Sequence, residues 1–183
     1  MRPLAAIVLL TAPSPTGHLH AEACMGIAAS DLNQYVIRPT LLYLNNQCVA
    51  AEALLLGVAA CQTSLGAELD NNSGYGLYRI SAAHHRHLWD HYLAVDPERA
   101  SRVRGLASQH AFLSAPHFEL TVNLRYATAI AWLLIEQKYK ELPAADDLSA
   151  QAMIWQQVFA PSRQPGEFVL AWQRCIQTPV CAV

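Results

Sequence analysis

Four histidines crowd one short segment of the chain, and their side chains are the first candidates for chemistry. They are His84, His85, His87 and His91. If the segment is helical, the spacing of four between His87 and His91 places two imidazoles on one face, where they could ligate a metal. No nearby cysteine completes a ligand set, and no Glu stands between the two as in the zinc motif HExxH. We therefore predict no metal and no cofactor, and interpret the histidines as a solvated, pH-sensitive helix face.

The five cysteines are the second group of reactive side chains. Their number is odd and no two have CxxC spacing, which argues against both a disulfide framework and a zinc site. Cys175 and Cys181 could pair with each other or with another chain. For the set as a whole we expect reduced, mostly buried thiols. The set comprises Cys24, Cys48, Cys61, Cys175 and Cys181.

Length and composition predict one globular domain. The chain has 183 residues, of which 53% are hydrophobic and 14% charged, so it can bury a sizeable core. A formal net charge of −2 offers no basic stripe for a phosphate backbone, and we expect no nucleic-acid partner. No stretch approaches the roughly 20 apolar residues of a transmembrane helix. The expected partners are proteins or neutral ligands.

The first residues admit two interpretations. The apolar run Leu4–Leu10, followed by small residues before Cys24, resembles a weak secretory signal. The run is short and prolines interrupt the chain after it, so an extended arm that docks on a neighbouring subunit fits equally well. We divide the chain into an N-terminal arm, residues 1–24, and one domain, residues 25–183.

Apolar periodicity and capping residues predict helices along most of that domain. The strongest is Val49–Leu65, whose apolar positions cover nearly its whole circumference, as in a buried central helix. The polar segment 66–76 contains Gly and Asn residues and predicts a loop or short hairpin. The other predicted helices run from Asp31 to Leu44 with a kink or restart at Pro39, from Ser81 to Leu93, from Asp96 to about Ser108, from Leu120 to Gln137, from Asp146 or Asp147 to Phe159, and from Pro165 to Ile176. The predicted fold class is all-α, or α+β at most if the hairpin forms.

The organisation around this loop carries a resemblance to a known family. A buried helix, a polar loop with glycines and the segment Gly76-Leu77-Tyr78-Arg79-Ile80-Ser81 follow one another. This order resembles the phage and prophage branch of the lysozyme-like, lytic transglycosylase-like superfamily, in which a helix ending in Glu-Ser precedes a Gly-Ile-Tyr-Gln-Met-Glu-Pro type of segment. The resemblance implies a lysozyme-like helical domain and extends, in order, from about Asp31 to Arg174. Its further segments are Val36–Leu41, Ala51–Gly57, Leu88–Leu93, Leu124–Ala129, and Trp155 with Gly166–Phe168.

The resemblance also locates the residue that decides catalysis. Cleavage of a glycosidic bond needs a carboxylic acid with a raised pKa, and this superfamily carries a Glu at the end of the buried helix for that purpose. In Cys61-Gln62-Thr63-Ser64-Leu65-Gly66 the matching residue is Gln62, with Thr63 at the usual Ser. A carboxamide keeps the shape but has no titratable proton, and loss of general-acid catalysis costs on the order of 10²–10⁴ in rate. The resemblance therefore implies a catalytically inactive domain.

Two other departures from the family pattern point in the same direction. Arg79 stands where the family segment has a Gln that lines the cleft. Val158-Phe159-Ala160 stands where a Tyr-Tyr-Asn stretch would place polar groups near the sugar. The predicted cleft thus departs from the family pattern at three places.

Several side chains of this region remain candidates for acting on a glycan or binding it. Glu68 and Asp70, in the loop, are candidates for a relocated acid, against the simpler interpretation that they are solvated loop charges. The predicted substrate-binding side chains are three tyrosines, whose rings could stack on sugars or form core or cleft wall, and one arginine. They are Tyr75, Tyr78, Tyr126 and Arg79.

The leading functional hypothesis is a phage virion component, of the tail or baseplate type, built on a degenerate lysozyme-like domain. Its partners would be other virion proteins and, through the cleft, peptidoglycan glycan strands. Two alternatives stay open: an active peptidoglycan-degrading enzyme that uses Glu68, and a glycan-binding module without chemistry. The corresponding locations are the virion, assembled in the host cytoplasm, or the periplasm or exterior if residues 1–24 act as a signal.

Overall fold

The regular structure of the protein is helical. The computed structural model describes residues 24–69, 73–108 and 113–177. Within those ranges the helices are α1 (Ala29–Leu32), α2 (Arg38–Tyr43), α3 (Val49–Thr63), α4 (Ala82–His87), α5 (Pro97–Arg104), α6 (Glu119–Val122), α7 (Leu124–Glu136), α8 (Leu148–Phe159) and α9 (Pro165–Trp172), with π-helical stretches at Asn33–Ile37, Leu88–Leu93 and Gln173–Gln177. These residues form no strand, which confirms the predicted all-α class. None of the helices in the described part of the chain has the length and apolar character needed to cross a membrane.

The first predicted helix continues through its proline with a change of pitch. Pro39 is the second residue of α2, and it lacks the N–H that would bond the carbonyl four residues earlier. The chain before it, Asn33–Ile37, has the wider π-helical hydrogen-bond pattern. The predicted arm that would precede this helix lies, apart from Cys24, outside the described residues.

Helix α3 is the central element, as its sequence predicted. It is buried on nearly all sides, and Leu54, Leu55 and Val58 are inaccessible to solvent. Gly57 allows α9 to pack closely against it, because a Cβ at this residue would overlap the ring of Phe168. Helix α3 therefore packs closely against α9 and also contacts α8.

The prediction of one helix from Leu120 to Gln137 is wrong at its beginning. The chain leaves helical geometry at Asn123, where φ is −121° and ψ is 97°. The side-chain oxygen of Asn123 accepts the N–H of Tyr126 at 3.0 Å, and its amide donates to Oε1 of Glu119 at 2.7 Å. An Asn that satisfies an orphan N–H begins a new helix. Apolar periodicity continues across the break, so it does not reveal that α6 and α7 are separate.

The prediction that the cysteines are reduced is wrong for one pair. A disulfide joins Cys24 and Cys175, whose Cα atoms lie 5.0 Å apart although 151 positions separate them in sequence. The two ends of the domain meet only in the folded chain, so spacing along the sequence could not identify the pair. Cys48 and Cys61 are free thiols, as predicted. Cys181 lies outside the described residues.

The predicted loop after α3 contains a tight hairpin turn. Tyr75 and Ile80 exchange two N–H···O bonds of 2.9 and 3.1 Å and form an isolated antiparallel bridge. Gly74 has a φ of 145°, and a Cβ there would overlap the carbonyl oxygen of Arg79. Arg79 itself has a φ of 47°, which is uncommon for a residue with a side chain. The turn thus fixes the direction in which Arg79 leaves the backbone.

Candidate functional site

A polar pocket of about 530 Å³ opens at the C-terminal end of α3. It lies between the end of α3, the hairpin turn after it, and the segment that follows α8. Gln62, Glu68, Arg79 and Ala160, which the sequence singled out, all line it. The other lining residues are Cys61, Thr63, Ser64, Ser73, Phe159, Pro161, Ser162 and Arg163. Residues that are far apart in sequence therefore line one pocket. Asp70, the other candidate for a relocated acid, lies outside the described residues.

A left-handed turn fixes the end of α3. Ser64 and Leu65 have φ values of 50° and 59°, and their N–H groups bond back to carbonyls of α3 at 3.0 and 3.1 Å. The hydroxyl of Thr63 lies 2.8 Å from the carbonyl oxygen of Leu77, to which it donates. This contact ties the helix end to the hairpin. Gln62 is consequently held at a fixed place in the pocket wall, with 8% of its surface exposed.

The orientation of the Gln62 amide is set by a cation. Nη1 of Arg163 lies 3.2 Å from Oε1 of Gln62 and 3.4 Å from the carbonyl oxygen of Cys61. A guanidinium can only donate hydrogen bonds, so the Gln62 oxygen must face it. The NH2 group of the amide is then the part of Gln62 that is left for a ligand. Residue 62 thus offers a donor, and it offers no titratable proton.

Arg163 is itself held from several sides. Its Nε and Nη2 donate to Oε2 of Glu167 at 2.9 and 2.8 Å, and its Cζ lies 5.0 Å from the centre of the Trp155 ring. The second oxygen of Glu167 accepts the N–H of Gln164 at 2.9 Å, which caps α9. The hydrogen bonds from Arg163 are the largest cause that lowers the pKa of Glu167 below its ordinary value. The guanidinium is therefore held in position beside residue 62.

This environment is the opposite of the one that a glycosidase acid needs. Such an acid lies in an apolar pocket that disfavours its charged form and raises its pKa. A cation within hydrogen-bonding distance favours the charged form and lowers the pKa of a carboxyl group. The surroundings of Gln62, and not only its side chain, therefore differ from those that general-acid catalysis requires.

Glu68, the candidate for a relocated acid, is exposed at the pocket rim. Three quarters of its side chain is accessible to solvent, and its Oε2 lies 3.7 Å from Nη2 of Arg79. Nη1 of Arg79 donates to the hydroxyl of Ser73 at 3.1 Å. Glu68 thus has the position of a solvated ion-pair partner at the pocket rim.

The three predicted tyrosines do not line the pocket. Tyr78 is fully buried, where its hydroxyl lies 3.0 Å from Oγ1 of Thr128 and desolvation raises its pKa. Tyr126 is also fully buried. The ring of Tyr75 is partly buried, 5.7 Å from that of His117. These positions do not support stacking on a sugar in the pocket, because the apolar rings serve the core.

The histidine-rich segment divides into buried and exposed side chains. His84 and His87 are exposed, and the ring centres of His87 and His91 are 4.5 Å apart. His85 is instead 1% exposed, which corrects the prediction of a fully solvated face. Over the described ranges, no group of three or more side chains is arranged to hold a metal ion.

His85 is the centre of a buried hydrogen-bond network. Its Nδ1 lies 2.9 Å from Nδ1 of His117, and its Nε2 lies 2.7 Å from the hydroxyl of Tyr126. Nε1 of Trp89 donates to that hydroxyl at 3.0 Å. Burial, and secondarily the charge of His117, lowers the pKa of His85 to about 4. The network joins α4 to α7 and to the turn before α6, and it lies away from the polar pocket.

The sequence did not identify Arg163 as a residue of the site. Its spacing of four from Glu167 is a signal for an ion pair on one helical turn. Its contact with Gln62 spans 101 positions, and no local pattern predicts it.

Comparison with protein-family models, with curated proteins and with solved structures returned no match. The lysozyme-like resemblance thus stays a prediction from the sequence, and the pocket has to be interpreted from its own chemistry.

Proposed function

We propose that this protein is a non-catalytic glycan-binding module built on a lysozyme-like helical domain. The observation that carries the proposal is the hydrogen bond from Arg163 to Gln62. It leaves the amide NH2 of Gln62 as a donor for a ligand oxygen at the position where the superfamily has its acid. The lysozyme-like assignment rests on the sequence resemblance, and the loss of chemistry rests on this contact.

The pocket chemistry supports a ligand rich in hydroxyl and amide groups. The hydroxyls of Ser64 and Ser162 can both donate and accept, and the guanidinium of Arg79 donates. A peptidoglycan strand presents hydroxyl, ether and N-acetyl carbonyl oxygens, which match these donors. The partly buried ring of Phe159 adds an apolar surface on which the face of a sugar can pack.

Sedimentation with purified peptidoglycan sacculi tests binding and cleavage in one experiment. We expect the protein to co-sediment with sacculi and to release no soluble fragments. Gln62→Ala and Arg79→Ala should each weaken binding several-fold, because each removes one donor worth about 1–2 kcal/mol. Lys140→Gln, a charge change outside the pocket, is the matched control. Sustained fragment release, or undiminished binding by the folded Gln62→Ala, Arg79→Ala double variant, would overturn the proposal.

The disulfide supports the exported location among those predicted. Disulfides persist in oxidising compartments and are rare in the cytosol. The Cys24–Cys175 pair therefore favours the periplasm or the exterior as the place of action. Alkylation of the protein taken from its native source, followed by mass spectrometry without reduction, should leave both cysteines unmodified. Alkylation of both would argue for the cytoplasm.

The virion role stays a second proposal with its own test. Its motivation is the sequence resemblance together with Gln62, and the apolar run Leu4–Leu10, which lies outside the described residues, favours an assembly role. Deletion of residues 1–23 removes this run and keeps the disulfide. Weaker incorporation of the shortened chain into particles would support an assembly role, and unchanged incorporation would count against it.

A further inference from the structure

A second pocket, of about 450 Å³, lies near the end of α8. Its walls come from α4, from the end of α7 with the two residues that follow, and from α8. The lining residues are His84, His87, Leu134, Gln137, Lys138 and Val158. The two linings have no residue in common, so this pocket is separate from the one that contains Gln62.

The pocket combines an apolar floor with a basic rim. Leu134 and Val158 belong to the hydrophobic core and are each 3% exposed. His84, His87 and Lys138 are exposed and stand around them. The described residues that line the pocket include no carboxylate.

The basic groups are close enough to repel one another. Burial and then the charges of Lys138 and His87 lower the pKa of His84. The ammonium of Lys138 donates to the backbone carbonyl of Gln157 at 3.3 Å, and no described carboxylate forms an ion pair with it. The rim therefore carries positive charge that is not neutralised within the described part of the chain. A bound anion would relieve this repulsion and accept hydrogen bonds from the same groups.

We propose that this pocket binds a small organic carboxylate. The carboxylate would contact the ammonium of Lys138 and the imidazole N–H groups of His84 and His87. The apolar body of the ligand would fill the rest of the pocket beside the small exposed parts of Leu134 and Val158 and displace water there, which an inorganic anion could not do. The site is independent of the glycan proposal, since it shares neither residues nor chemistry with the first pocket.

Titration of the full-length protein with octanoate, followed by calorimetry and by the imidazole signals in NMR spectra, tests the site. We expect saturable binding that shifts the signals of His84 and His87. Lys138→Gln should weaken the affinity about tenfold or more, because it removes the charged partner. Lys140→Gln removes the same charge two positions away, outside the lining, and should change the affinity less than about twofold.

Two further ligands separate the parts of the proposal. Octanol has the apolar body without the charge, and inorganic phosphate has charge without the apolar body; both should bind at least about tenfold more weakly than octanoate. Equal binding of octanol, or of phosphate, would overturn the assignment to an organic carboxylate. So would octanoate binding that leaves the His84 and His87 signals unchanged or is insensitive to Lys138→Gln, provided that the variant melts at the same temperature as the parent protein.

Discussion

Arg163 donates a hydrogen bond to the side-chain oxygen of Gln62 across 101 positions of sequence, with Nη1 3.2 Å from Oε1. The same guanidinium is held by Glu167, which fixes the cation beside the end of α3. An amide at residue 62 satisfies one guanidinium donor and keeps its own NH2 group for a ligand. The two side chains thus complement each other, and we expect that replacing Gln62 alone by an acid does not create a general-acid catalyst.

Gln62→Glu should remain inactive on peptidoglycan. The introduced carboxyl should have a pKa at least one unit below the ordinary value of about 4.3, because Arg163 stabilises its charged form. NMR titration of the side-chain carboxyl measures this value. Adding Arg163→Gln removes the cation and should raise the pKa of the introduced carboxyl. A value above the ordinary one in the single variant, or cleavage of peptidoglycan by it, would show that Arg163 does not control this position.

Reduction of the disulfide should destabilise the protein substantially. The Cys24–Cys175 bond closes a loop of 151 positions, and native disulfides that close long loops typically contribute about 2–5 kcal/mol. Urea unfolding with and without dithiothreitol measures the difference. The Cys24→Ser, Cys175→Ser double variant should be as unstable as the reduced protein and insensitive to the reductant. Cys48→Ser, at a free thiol, should keep the full response to dithiothreitol.

The sequence predicted those parts of the fold that depend on local chemistry. Ser81, Asp96 and either Asp146 or Asp147 were predicted at helix starts, and in the structure Ser81, Asp96 and Asp147 each accept the N–H three residues later at 3.0–3.1 Å. Capping depends on a few adjacent residues, so it can be inferred without tertiary structure. The start of α7 at Asn123 was missed because apolar residues continue on both sides of it.

The sequence identified site residues that can be recognised one position at a time, and it did not identify contacts between residues that are far apart in sequence. Gln62, Glu68 and Arg79 were found individually, and the structure brings them to one pocket. Two contacts join residues that are far apart in sequence: Arg163 with Gln62 at the pocket, and the partly buried His117 with the buried His85. The first contact depends on how α3, α8 and α9 pack, and the second on how α4 packs against the segment before α6; apolar periodicity encodes neither.

The free energy of unfolding should fall as the pH is lowered from 6.5 towards 4. The pKa of His85 is about 4 in the folded protein, against 6.5 when exposed, so the unfolded chain binds the proton first. The contribution of uncharged His85 to the free energy of unfolding is complete above pH 6.5. At pH 4 the free energy of unfolding should be lower by on the order of 2–3 kcal/mol. Urea unfolding across this pH range measures it.

Two variants separate His85 from the other groups that titrate in this range. His85→Gln should reduce the pH dependence of unfolding, whereas His87→Gln, at an exposed histidine, should preserve it. A slope unaffected by His85→Gln would assign the acid sensitivity elsewhere in the molecule.

Gly57→Ala should destabilise the protein, whereas a Gly→Ala substitution inside a helix is ordinarily stabilising. Alanine has the higher helix propensity by about 1 kcal/mol, so the intrinsic effect is stabilising. At this residue, however, the added Cβ would overlap the ring of Phe168, and overpacking a core typically costs about 1–3 kcal/mol. Thermal and urea unfolding should therefore show a net loss of stability. Gly166→Ala in α9 is the matched control, because its Cβ would meet no atom within 4 Å and the change should be neutral or stabilising. Replacing the opposing ring by the smaller leucine side chain, in the double variant Gly57→Ala, Phe168→Leu, should recover the part of the stability loss that the overlap causes. Equal stability of Gly57→Ala and Gly166→Ala would mean that α3 and α9 do not pack as closely as their geometry indicates.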